Sequence, residues 1–440
     1  MNNKIVNWWR SQRFKLALQQ GNKRLAMQFL EEIQASGVKL SWQEKLFRDK
    51  LQSESYLQQS KRETINLSAK LNEALQKLEK AELQEKFSQT QHNILTCDRE
   101  FLTYINKVFQ IVQHDENKIQ CTGLDERIFD DFEVQLVEYL RDEFSKIPEN
   151  KLLIKLEDAL EDINCLKNGQ DPNYNLSLTP HVYFMKYFLE NVYCNYLAWF
   201  FVYEAGLLPT NIKILDVAAG PATVAYGLAL FLQSTSGFFE IPPMHISYYS
   251  LEKQDTFQFR GLQFWRRYIE SRKTSVNAYF RFVTDDLLTW NASSSNIPQD
   301  FFDFLVISHC FFSDVEKNNR AKSTYNQIIY SNLKTEGYAI LIIQDKKLFK
   351  AYQTKQSEDY EQEKSLVKKF TNELGLELVW YKYLTSTDLR TPLGGAEFIK
   401  YAKEKLPKQM HMFSLLQQHF GQKYESNYVL DDYMILAKKA

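Results

Sequence analysis

Polar residues able to do chemistry stand in this chain of 440 residues where short apolar runs stop. Asp216 follows Ile214-Leu215, Glu252 follows HISYYSL (His245–Leu251), Asp285 and Asp286 follow Ala278–Val283, and Ser308-His309 close FFDFLVIS. A carboxylate at the end of a strand can order a loop or accept hydrogen bonds from a ligand's amine or hydroxyl. An imidazole titrates near neutrality and can take up a proton. After Asp216 the small residues Ala218-Ala219-Gly220-Pro221 make a tight turn, and from Pro221 the apolar residues Val224, Leu228 and Phe231 recur at helical spacing. Strand, small-residue turn and helix bring backbone N–H groups close to a ligand. Taken alone, the stretch fits a nucleotide site, a dinucleotide-binding turn or a packed strand-to-helix junction.

The stretch Asp216–Ala222 resembles motif I of the class I S-adenosylmethionine-dependent methyltransferases, D-x-G-x-G-x-G, with Gly220 as the middle glycine and Ala218 and Ala222 in place of the outer two. Alanine tolerates a positive φ poorly, so the resemblance predicts αR or β backbone at these two positions, or a displaced loop. It implies S-adenosylmethionine as cofactor, held by Asp216, Ala218 and Gly220. Glu252 then receives the ribose hydroxyls, and an ionised carboxylate can accept from both. Asp285 or Asp286 receives the adenine amino group, Leu287 packs on the ring, and Ser308 lies on the same edge. His309 is the catalytic candidate, because transfer from a sulfonium needs an aligned acceptor and, for some acceptors, a base. Competing readings are helix capping by Asp285 or Asp286 and a purely structural His309. The family's N–P–P–Y motif is absent, which disfavours adenine or amide-nitrogen acceptors of that type.

Positioning these residues takes an alternating α/β domain. Strands are expected at Ile214–Val217, His245–Leu251, Ala278–Val283, Phe301–Ser308, Tyr338–Ile343, Leu376–Tyr383 and Tyr433–Ala437, with helices between them. The fold class is α/β, a Rossmann-like sheet of seven strands, and the resemblance covers residues 181–440. Aromatic residues crowd the helical stretch that leads into the first strand, and Tyr183 and its neighbours either lid the site or fill the core. A long insertion, 384–429, suits a substrate-specific cap.

The rest reads as helical. Residues 1–95 form a helical pair and a longer helix opened by the S-x-x-E pattern at Ser41–Glu44. Leu67, Leu71, Ala74, Leu78 and Ala81 keep a heptad step, so this all-α part is partly coiled coil and pairs in a homodimer through the Leu67–Ala81 seam, or bridges solvent as a single helix. Trp8 and Trp9 suit a core, or contact with membrane or nucleic acid. Residues 96–180 are an acidic helical segment ending in a linker, NGQDPNYNLSLTP. Lys and Arg outnumber Asp and Glu by 16 to 10 in residues 1–95, and the balance is 9 to 18 in residues 96–180. The two regions read as ordinary solvated helical surfaces, or they attract each other within the chain or across a dimer, or the basic arm meets an anionic partner. Five scattered cysteines without a C-x-x-C pair suggest no metal site and suit a reducing cytoplasm. No signal sequence or membrane span is read. The expected activity is methyl transfer to RNA, protein or a small molecule, with the N-terminal helices recruiting substrate or dimerising. The alternative is a catalytically inactive methyltransferase-like scaffold.

Overall fold

The computed structural model describes residues 2–37, a few positions between 39 and 48, and residues 94–439 apart from 169–171, 173, 175, 273–275, 292–294 and 313. The chain divides into two compact units, Met1–Gln91 and His92–Ala440. In the first, helices Asn2–Gln19 and Lys23–Ala35 bury Phe14, Ala17, Ala26, Leu30 and Ile33 between them. Asn22 caps the second helix by accepting from the Leu25 N–H at 3.2 Å. The Ser41 N–H donates to the Glu44 carboxylate at 2.7 Å, which is the reciprocal half of the expected capping pattern. Trp8 and Trp9 do not join this core: they are 58% and 57% exposed. The Leu67–Ala81 seam lies outside the described residues.

The second unit is built on a mixed sheet of nine strands rather than the expected seven. In chain order these are β1 (Val112–Gln113), β2 (Lys118–Gln120), β3 (Asn211–Val217), β4 (Met244–Glu252), β5 (Val276–Thr284), β6 (Phe302–Ser308), β7 (Leu333–Gln344), β8 (Leu376–Thr385) and β9 (Asp431–Lys439). Across the sheet they run β1-β2-β8-β9-β7-β6-β3-β4-β5, and β9 is antiparallel to both its neighbours. The two extra strands come from the segment read as wholly helical. There the Asp115 carboxylate accepts from the N–H groups of Asn117 and Lys118 at 2.9 and 2.7 Å, which turns the chain between β1 and β2. β2 then pairs in parallel with the end of β8. Strands of two and three residues are too short to carry a readable period.

Because side chains alternate along a strand, each central strand feeds two cores. Ile212, Ile214, Ile246 and Tyr248 face one core, which also takes Phe129, Phe132, Trp199, Phe231 and Phe264 from the helices Glu126–Ser145, Leu189–Glu204, Thr223–Ser234 and Asp255–Tyr268. Leu215, Val217, Leu305 and Ile307 face the other, under helices Val315–Asn332 and Tyr360–Glu373. The helices of residues 96–180 thus share the sheet's core. Their acidic side chains meet the arginines that flank Tyr268: Arg260 pairs with Glu143, Arg267 with Asp142 and Arg272 with Asp131. Helices Leu189–Glu204 and Thr223–Ser234 approach so closely that a Cβ on Gly227 would lie 2.7 Å from the backbone of Asn195.

The insertion 384–429 carries helices Gly395–Lys405 and Met410–Phe420. Its first loop is pinned by Arg390, whose Nε donates to the fully buried Glu363 at 2.7 Å and whose Nη1 meets Asp115 at 2.8 Å. Glu363 also accepts from the hydroxyls of Tyr381 on β8 and Tyr433 on β9, at 3.0 and 2.9 Å. One carboxylate therefore ties a helix, two strands and the insertion together. Among the described residues, no helix is long and apolar enough to cross a membrane.

Candidate active site

The chain moves outward from β3 through β4 to β5, then returns to β6 and β7 on the other side of β3. The order reverses between β3 and β6, and ligands of open α/β sheets bind in the crevice at the carboxyl ends of the strands on either side of such a reversal. The turns after β3, β4, β5 and β6 all lie along this edge, and they carry the residues singled out in the sequence.

The turn after β3 keeps its left-handed geometry without two of its glycines. Ala218, Gly220 and Ala222 have φ of 57°, 53° and 65°, so neither alanine adopts the expected αR or β backbone. The helix starts at Thr223 with Ala222 as its cap, two residues later than Pro221 suggested. A left-handed alanine costs roughly 1–2 kcal/mol, partly offset because glycine loses more entropy on folding. Ala218→Gly and Ala222→Gly are therefore each expected to stabilise the protein by about 0.5–1 kcal/mol, read as a higher urea midpoint at unchanged m-value. A lowered midpoint in both would show that the two backbones are not strained.

Asp216 does not face the crevice. It is 1% exposed and accepts a short hydrogen bond from the hydroxyl of Tyr248 on β4. Burial raises its pKa to about 8, against the opposing Tyr248 hydrogen bond and with help from the Glu252 charge. Its observed role is internal: buried at the end of β3, it holds β3 against Tyr248 of β4.

Glu252, half-buried at the tip of β4, sits beneath the turn. One carboxylate oxygen accepts from the Gly220 N–H at 2.8 Å and the other from the Gln254 N–H at 2.9 Å. Burial holds this carboxyl above its ordinary range, while those N–H groups and Lys253 oppose the shift. The Asp285 N–H donates to the Glu252 carbonyl at 3.1 Å, so the tips of β4 and β5 are tied together. Asp286 pairs with Lys253 at 2.8 Å and accepts from the Leu288 N–H at 2.9 Å, which orders a turn; among the described residues no helix follows for it to cap. Leu287 is buried beside them. Tyr183 adds a ring on this side: its phenol is pushed up by burial, with Glu252 and Cys310 among the charges that act on it. It lies just before a π-helical turn, Phe184–Phe188, a form that recurs at functional sites.

Across the reversal, Ser308 ends β6 and His309 follows with φ 60°. The His309 N–H donates to the Ile342 carbonyl at 2.8 Å, and Nδ1 lies 2.9 Å from Ser308 Oγ. That contact leaves Nε2 directed elsewhere, 3.2 Å from Asp432 Oδ1 at the start of β9. Two residues here were not singled out by sequence. Asn195, 1% exposed, donates to Ser308 Oγ at 3.1 Å and to Thr223 Oγ1 at 3.5 Å, bridging the end of β6 to the helix after β3. Its presence among apolar helix neighbours was the available signal. Cys194, its neighbour, lies with His309 and Asp432 so that their ligating atoms are within 4.8 Å of one another, although the sequence pattern suggested no metal site.

No protein-family model and no curated protein matches this chain. Among solved structures it is similar to a SAM-dependent methyltransferase from Methanosarcina mazei, at 15% identity over 53% of this chain and 94% of that one, with a TM-score of 0.29. A putative S-adenosyl-L-methionine-dependent methyltransferase from Methanococcus maripaludis shares 13% identity over 60% of this chain and 90% of that one, with a TM-score of 0.28. A putative sarcosine dimethylglycine methyltransferase from Galdieria sulphuraria shares 12% over 56% and 84%, with a TM-score of 0.29. The strand order around the reversal, with the antiparallel β9 between β7 and β8, and the left-handed turn at Ala218–Ala222 give this chain the fold of the class I methyltransferases.

Proposed function

We propose that the crevice binds S-adenosylmethionine and that the protein transfers its methyl group to an acceptor held on the His309 side. The observation that carries this reading is the convergence at the sheet reversal of the Gly220 turn, the Glu252 carboxylate and the tip of β5. The residues present fit the cofactor. A carboxylate has about four lone-pair sites, so Glu252 keeps capacity for two ribose hydroxyls beyond the two backbone N–H groups it holds. Nothing lies within 4 Å of where a Cβ on Gly220 would point, so the outer side of the turn is open. Asp285 is the residue for the adenine amino group, with Leu287 and Ser308 along the same edge. Asp286, engaged by Lys253, is the weaker candidate for that amino group. The bound cofactor supplies an electrophilic methyl on a sulfonium. The chain's residues fix its nucleoside and line up the acceptor, and His309 Nε2 takes the acceptor's proton in the metal-free protein.

Calorimetry with S-adenosylmethionine, and separately with its demethylated product, tests this. Binding of both at one site per chain is expected, and His309→Ala should leave cofactor affinity within about threefold of wild type, less than 1 kcal/mol. A wild-type protein that binds neither compound would favour the scaffold reading, in which the retained fold serves its helices alone. RNA, protein and small molecules stay open as acceptors, and recruitment or dimerisation stays open for residues 1–95.

A further inference from the structure

We infer that Cys194, His309 and Asp432 form a binding site for one divalent transition-metal ion of the zinc class. The three come from different elements: helix Leu189–Glu204, the turn after β6 and the first residues of β9. Sγ, an imidazole nitrogen and a carboxylate oxygen all lie within 4.8 Å of one another. Ligand atoms around a tetrahedral zinc stand roughly 3.3–3.8 Å apart, given bonds of about 2.0–2.3 Å, so closing on an ion takes shifts of about 1 Å.

Three observations point to a ligand rather than to packing. Asp432 is 6% exposed, and its Oδ1 has no hydrogen-bond partner although His309 Nε2 is 3.2 Å away. A ring N–H aimed at Oδ1 from that distance would make a hydrogen bond. Two ligands of one ion stand in this relation to each other, close together without a hydrogen bond between them. Second, Ser308 Oγ engages Nδ1 at 2.9 Å, and Asn195 holds that hydroxyl in turn. An outer partner on the second ring nitrogen is what orients a metal-bound histidine. Third, Cys194 and Asp432, 1% and 6% exposed, place a thiol and a carboxylate together in one buried spot, and a divalent cation would balance the negative charges they carry as ligands. A sulfur, nitrogen and oxygen donor set suits zinc or cobalt and not magnesium or calcium.

Three protein ligands leave a fourth position. The His309 side chain is 14% exposed, so that position opens toward the carboxyl edge of the sheet. There the ion would act as a Lewis acid on an oxygen or sulfur of whatever molecule the crevice holds, and Nε2 would serve as ligand instead of base. The inference stands apart from methyl transfer, because metal binding is read without cofactor or acceptor.

The test is titration of the chelator-stripped, full-length protein with cobalt(II). One equivalent is expected to bind and to give a near-ultraviolet thiolate-to-cobalt charge-transfer band that zinc abolishes. Cys194→Ser should lose the band, Asp432→Asn should weaken binding at least tenfold, and Ser308→Ala should weaken it about tenfold through the orientation of His309. Cys165→Ser, which changes a cysteine outside the cluster, should keep the band. If Cys194→Ser fails to fold, His309→Gln, at a partly exposed side chain, replaces it and should lose stoichiometric binding. A wild-type protein with no band at one equivalent, or a band undiminished in both Cys194→Ser and His309→Gln, would overturn the site.

Discussion

Glu252→Gln is expected to weaken S-adenosylmethionine binding by about 2–4 kcal/mol, roughly thirty- to a thousandfold, measured by calorimetry. The carboxylate serves three sets of donors in this reading: the Gly220 N–H, the Gln254 N–H and the two ribose hydroxyls. An amide keeps the shape, yet its NH2 must face at least one N–H or O–H that needs an acceptor. The same conflict exists without ligand, so the variant should also lose about 1–2 kcal/mol of stability. That loss separates two outcomes. A variant that is less stable yet binds cofactor as tightly as wild type would leave Glu252 as a loop-ordering residue and remove it from the ribose.

The second large effect lies away from the crevice. Arg390→Met should destabilise the protein by about 3–5 kcal/mol in urea unfolding, because it leaves the fully buried Glu363 without its cation. Glu363→Gln placed in the same chain should recover part of that loss, since an amide can still meet Tyr381 and Tyr433 without a buried charge. A single variant within 1 kcal/mol of wild type would mean that the loop at Arg390 is free to let water reach Glu363. The insertion's anchor is thus set by the same group that joins β8 to β9.

The sheet was legible because its central strands are buried on both faces. Continuous apolar runs such as Phe304–Ile307 and Ala339–Ile343 announce such strands, and the polar residue that ends each run marks the carboxyl edge. What escaped reading has a physical reason in each case. β1 and β2 are shorter than one cycle of any detectable pattern. The left-handed backbone at Ala218 and Ala222 runs against alanine's own preference, so the tertiary setting decides it. The internal use of Asp216 depends on Tyr248, a partner on the next strand that only the register of β3 and β4 places opposite. Cys194, His309 and Asp432 are far apart in the chain and meet only because β9 inserts beside β7. The acidic helix Glu126–Ser145 finds its described partners in the arginines near Tyr268, which a charge count by region cannot pair.

The sheet's two borders bear on how copies of this protein behave at high concentration. An exposed border strand is a template for another chain's backbone, and natural proteins blunt it with short strands, bulges and charged side chains. On one side β1 offers only two residues, and the part of β8 that β2 leaves uncovered is bent by an irregularity between Leu378 and Trp380 and followed by Lys382. On the other side β5 runs for nine residues with Arg281 in its middle, beside an exposed Tyr279. Strand-to-strand self-association is thus discouraged by geometry at one border and by a single cation at the other, and β5 is the border through which aggregation would begin.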